Sequence, residues 1–85
     1  MSRDNEFKEF VDLVHKTKDK ALLEDFLYAI TTAGERHTFA RRIEIVRRLL
    51  AGEAQHSIAS DLRVGVNTVS RGAREIAEGH FKILK

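Results

Sequence analysis

Apolar residues recur along the chain at helical rather than alternating spacing, which predicts an all-helical protein. Phe7, Phe10, Val11 and Val14 fall on one face of a first amphipathic helix over about residues 4–16. Leu22, Leu23, Phe26, Leu27 and Ile30 give a second helix, over about 19–31, a broad apolar face, and Asp19 stands where an N-cap is needed. A face that broad calls for cover on two sides, from the chain's own helices and from another subunit.

In "TTAGER", Thr32 followed three residues later by Glu35 fits a capping box and opens a third helix. That helix is expected to run to about Ala51 with Phe39, Ile43, Val46 and Leu50 inward, and Gly52 fits the left-handed position just past its end. Its outward face carries Arg36, Arg41, Arg47 and Arg48. A short fourth helix over about 54–62 buries Ile58, Ala59 and Leu62. A fifth over about 66–78 places Val66, Val69, Ala73 and either Ile76 or Ala77 inward. The closing "HFKILK" is too short for an independent helix; its Phe81, Ile83 and Leu84 either add apolar area to a partner's groove or fray. The expected organisation is one all-α domain over 1–85, with a helical dimerisation core at 1–51, a helix-turn-helix at 54–78 and a short tail at 79–85.

The helix-turn-helix assignment rests on "RVG", residues 63–65, and on the spacing around it. In I-A-x-x-L-x-V-x-x-x-T-V-S-R, Ile58 and Leu62 share a face, Ala59 lets the helices cross closely, Val64 plugs the turn and Val69 anchors the second helix. Val66, Asn67, Thr68, Ser70 and Arg71 are then the outward positions of that helix's first turns, able to approach base edges or phosphates. Asn67 either pairs bidentately with adenine or caps the helix, because Gly65 stands where a polar cap is more usual. Gln55 and His56, opening the preceding helix, suit phosphate contacts, and Arg63 with Gln55 would position the duplex.

Composition sharpens this picture. Eighty-five residues with no cysteine and no metal-spaced ligand set lack the staples of small proteins, so homodimerisation is the expected route to a larger core. No apolar run approaches the length of a membrane span, and "MSRDNEFKEF" is too charged for a secretory signal, so a cytoplasmic protein is expected, with no membrane partner. The net charge of +2 is unevenly placed: residues 1–35 carry five basic and eight acidic side chains, whereas 36–74 carry eight arginines against Glu44, Glu53 and Asp61. That asymmetry fits either a polyanion partner or a solvated helix face. His15, His37, His56 and His80 have no mutual helical spacing that suggests a metal site, and no phosphate loop or cysteine nucleophile occurs, so an enzyme is not expected.

From "TTAGERHTFARRIEIVRRLLAGE" through "VGVNTVSRG" the chain resembles the bacterial Trp repressor family. The resemblance lies in the T-x-x-E-R helix start, in Arg42 ahead of I-x-I-V, in the L-L-x-G-E end and in the T-V-S-R-G run; the first two helices match in pattern only. It implies an intertwined all-helical homodimer presenting two recognition helices to a palindromic double-stranded DNA operator. It also implies L-tryptophan, or a related corepressor, bound between core and reading head. By position, Arg42 and Arg71 match the arginines that sandwich the indole and meet its carboxylate. Thr32 lies near the second subunit's contribution to the pocket, and Gly72 follows the reading-head arginine. Glu75 departs from the family, which has a serine there: it either pairs with a ligand ammonium or reaches Arg42 or Arg71 and fills the site. The connection from Gly52 to Ile58 is also one residue shorter than in the enterobacterial repressors, and the C-terminal helix is almost absent.

Gly72 has a physical reading too. Inside a helix it costs about 1 kcal/mol relative to alanine, so close approach by a ligand or by another helix would explain it. The alternative function is a basic helical protein-interaction module without sequence-specific DNA binding. Gln55, Asn67, Thr68 and Ser70 on one exposed surface suit groove reading better than a salt-bridged protein contact.

Overall fold

The computed structural model describes residues 3–85, in which five α-helices are followed by a single 3-10 turn. The helices are α1 (Arg3–Lys16), α2 (Lys20–Ile30), α3 (Ala33–Leu50), α4 (Gln55–Leu62) and α5 (Val66–Ala77), and the turn spans Lys82–Leu84. No strand occurs among the described residues, in keeping with the all-helical reading. The chain divides into two compact units, the first ending at Ala33 and the second spanning Gly34–Lys85.

In the first unit, α1 opens with Asp4 and Glu6 and closes with His15 and Lys16; the two carboxylates at its start and the Lys16 ammonium at its end complement the helix dipole. Asp19 caps α2 as expected: its Oδ1 accepts from the Ala21 and Leu22 amides at 2.8 and 3.2 Å. Thr31 ends that helix in an extended conformation, with its hydroxyl donating to the Leu27 carbonyl at 2.6 Å. The Phe10 and Phe26 rings stack at 6.3 Å between centroids and tie α1 to α2. Neither helix buries a residue, and Phe7, Val11, Leu13, Leu22, Tyr28 and Ile30 are exposed.

The second unit holds the core. Ile45 of α3, Ile58 of α4 and Val69 of α5 are buried together, with Leu49, Ala59, Leu62 and Val64 packed around them. The eight residues of α4 and the opening of α5 are too short to stand alone, and their shared burial on α3 stabilises them. Gly52, at φ +88°, ends α3: its amide reaches the Leu49 carbonyl while the Glu53 amide reaches that of Arg48. The same closure ends α4 on a non-glycine residue. Arg63 is left-handed at φ 55°, its amide donates to Ser60, and the Val64 amide donates to Ala59. Val64 is thereby pressed onto the core, as its position in the turn predicts.

Two expectations need correction. Phe39 and Ile43 of α3 do not face inward: they are 49 % and 42 % exposed. The buried face is instead Ile45 and Val46, with Leu49 beside them, because the helix carries two apolar stripes and the helix-turn-helix covers only one. Val66 is likewise not inward but 51 % exposed, as the first residue of α5. Arg48, on the outward arginine face, is held by Glu53 and Asp61: its guanidinium donates to Glu53 Oε1 at 2.6 and 2.8 Å and to Asp61 Oδ2 at 2.7 Å. These contacts push the Arg48 pKa still higher than its ordinary value and link the end of α3 to the outer face of α4.

Candidate nucleic-acid interface and effector cavity

Packing of α4 and α5 around Ile58 and Val69 turns the other side of each helix outward. On that side Gln55, His56, Arg63, Val66, Asn67, Thr68 and Arg71 are exposed and Ser70 is half-buried. Ser70 and Gln55 are joined: the serine hydroxyl donates to the glutamine Oε1 at 2.8 Å, across fifteen residues of sequence. The bond fixes a side chain that would otherwise be free, and leaves the glutamine amide hydrogens as donors directed away from the serine. The cap of α5 is Gly65, without a side-chain hydrogen bond, so Asn67 lies inside the first turn and is not the cap. Ala54 caps α4 in the same backbone-only manner. Both first turns therefore keep amide hydrogens that no side-chain cap satisfies.

A cavity of about 420 Å3 lies within the second unit. Ile45 and Val46 of α3 give it an apolar floor, and Arg42 stands on the same helix above them. From α5 come Asn67, Thr68, Arg71, Gly72 and Glu75, and from the tail comes Phe81. Four of the five residues assigned to an effector from sequence, Arg42, Arg71, Gly72 and Glu75, are thus brought to one cavity. Thr32 is in the short connection between α2 and α3, within the first unit. Asn67, Thr68 and Arg71 belong both to this wall and to the outward surface of α5.

Gly72 packs against α3. A methyl added there would meet Ile45 Cγ2 and Leu49 Cδ1 at 3.4 Å, the edge of ordinary van der Waals contact. Close helix packing accounts for a small residue at this place but does not demand the absence of a Cβ.

Sequence reasoning missed two contributors. Phe81 reaches the cavity because the tail folds back: Gly79 is left-handed at φ +94°, its amide donates to Ile76, and the His80 amide donates to Glu75, each at 3.0 Å. His80 Nε2 then stands 3.6 Å from Glu75 Oε2, an ion pair whenever the imidazole is protonated. Potential ligand atoms of Glu75, Glu78 and His80 lie within 4.8 Å of one another, a grouping not visible from histidine spacing alone. A second hollow, about 520 Å3, is edged by His37, Arg41, Arg42 and Arg63 beside Thr38 and Thr68. It brings the start of α3 and the turn of the helix-turn-helix to one basic concave surface.

Two short helices crossed over a three-residue turn, with polar side chains outward on the second, define a helix-turn-helix DNA-binding protein. The family model for the Trp repressor protein matches residues 5–83. The chain is similar to the Trp operon repressor homolog of Vibrio campbellii, with 34% identity over 80 residues, covering 89% of this chain and 80% of that protein. It is also similar to the Trp operon repressor homolog of Vibrio vulnificus, at 35% identity over 84% of this chain and 71% of that one. The homolog from Chlamydia caviae is 33% identical over 88% of this chain and 75% of its own. The chain belongs to the Trp repressor family, whose members are DNA-binding transcriptional repressors rather than enzymes. No helix among the described residues is long and apolar enough to cross a membrane.

Proposed function

We propose that the protein acts as a homodimer on a palindromic operator, inserting the Val66–Arg71 edge of α5 into the major groove, with L-tryptophan or a related indole as corepressor. Paired recognition helices about one helical turn of DNA apart are the docking geometry of this class, for which the Trp repressor is itself a type example. Asn67 and Thr68 meet base edges, with Ser70 and Gln55 framing them. His56, Arg63 and Arg71 meet phosphates, as do the uncapped amides that open α4 and α5. Arg42 and Arg71 receive the corepressor's carboxylate, Glu75 its ammonium, and Thr32 of the second subunit completes the pocket. Repressor and DNA meet in the cytoplasm.

One observation carries the reading: Asn67, Thr68 and Arg71 are both cavity wall and outward surface of α5. A ligand in the cavity therefore touches the reading residues directly and biases their geometry. The dimer is supported by the exposed apolar residues of α1 and α2 and by the uncovered Phe39 and Ile43 of α3.

The test is operator affinity measured by fluorescence anisotropy with and without L-tryptophan and indole analogues. The expected result is a tighter complex, by about tenfold, in saturating ligand, corresponding to a coupling of about 1.4 kcal/mol. Unchanged affinity across the panel would remove the corepressor. A single-chain mass by sedimentation at micromolar concentration would remove the dimer.

A further inference from the structure

The tail brings to the cavity a residue that the sequence motifs do not point to, and its geometry is unusual at that residue. Phe81 holds φ 63° and ψ 28°, the left-handed region that a bulky side chain seldom enters. Such a conformation persists only where the surroundings over-determine it. Here they do. On one side, the closure of α5 through Gly79 and His80 fixes the approach of the chain, and the Glu75–His80 pair lies across it. On the other, the Phe81 carbonyl accepts from the Leu84 amide at 3.0 Å and the Lys82 carbonyl from Lys85 at 3.1 Å, closing the 3-10 turn. The strained residue between these two closures is the one whose side chain lines the cavity, whereas Ile83, two residues on, is 93 % exposed.

We propose that Phe81 is a ligand-contacting residue: an aromatic wall, supplied by the chain's own C-terminal segment, against which the planar ring of an aromatic effector packs. The inference rests on the reading of this cavity as an effector site and adds to it the surface that selects an aromatic ring. Ile45 and Val46 beneath offer apolar contact without ring geometry, Arg42 and Arg71 serve the ring faces and the carboxylate, and Phe81 adds an aromatic contact from a separate segment. An aromatic face prefers offset-stacked or edge-to-face partners, a geometric preference that aliphatic side chains lack. The left-handed backbone at Phe81 has this use: it brings the residue to the cavity wall.

Isothermal titration calorimetry of the full chain with L-tryptophan, tryptamine and indole-3-propionate tests the proposal, taking whichever indole binds the wild-type protein tightest. Phe81→Ala is expected to raise its Kd by about tenfold or more and Phe81→Leu by about three- to tenfold, while Phe81→Tyr stays within about twofold. Ile83→Ala, on the same turn, is expected to stay within about twofold. Far-UV circular dichroism of each variant separates ligand loss from unfolding, and the leucine and tyrosine variants keep the comparison open if the alanine variant loses structure. If the wild-type protein binds an indole and both the leucine and the alanine variants bind it equally well, the aromatic wall is refuted and the effector site stands. If none of the three indoles binds the wild-type protein at up to about 1 mM, the effector site falls and the wall with it.

Discussion

Arg63 holds a position that glycine usually fills. Its φ of 55° closes α4 and presses Val64 onto the core, at a cost of roughly 1–2 kcal/mol for a residue with a Cβ. Arg63 edges the basic hollow with His37, Arg41 and Arg42, where we propose that its charge meets the duplex. Arg63→Gly should therefore raise the free energy of unfolding in urea by about 1 kcal/mol and weaken binding to any duplex, with a shallower salt dependence. A variant that gains stability and binds DNA as tightly as the parent would detach Arg63 from the duplex. Gly72 shows the opposite case: the sequence left ligand and helix as competing reasons for it, and the two α3 methyl-bearing side chains 3.4 Å from its missing Cβ identify the helix as one neighbour. Asn67 was ambiguous between base reader and cap, and only the position of Gly65 at the helix start removed the cap.

Among elements, the α4–α5 pair was the most legible, because the residues that these helices and their turn contribute to the core lie within a short stretch at helix-compatible spacing. Ile58, Leu62, Val64 and Val69 all pack where that spacing puts them. Ile58 is completely buried among side chains of three helices, so Ile58→Ala should cost about 2–5 kcal/mol by chemical denaturation and abolish DNA binding at ambient temperature. A loss below about 1 kcal/mol would mean that the cluster is loosely packed. The face of α3 was harder to read. Its residues 39, 43, 46 and 50 and its residues 45, 46 and 49 both form helical stripes, and periodicity cannot say which one the helix-turn-helix will cover. The ion pairs of Arg48 escape local reading for a related reason: Glu53 and Asp61 lie outside α3, beyond any local rule of charge spacing. The tail was opaque altogether, since a left-handed phenylalanine and a single 3-10 turn leave no period in the sequence.

At the scale of the whole molecule, the family and its helix-turn-helix were legible from motif and spacing, while the meeting of the outward α5 surface and the cavity emerged only from the fold. The arginines of residues 36–74 divide the work. Arg48 is committed to an ion-paired clamp, Arg42 and Arg71 line the cavity, and Arg63 stands at the turn beside the basic hollow. The central claim is that α5 of each protomer reads base sequence in DNA. It is tested most directly by enriching a bound duplex from a random pool and comparing its affinity with that of its scrambled counterpart across a salt series. The prediction is an enriched site with two-fold symmetry, bound about a thousandfold or more tighter than the scrambled duplex at physiological salt, with both affinities falling steeply as salt rises. Equal affinity for the two duplexes at every salt concentration would contradict it.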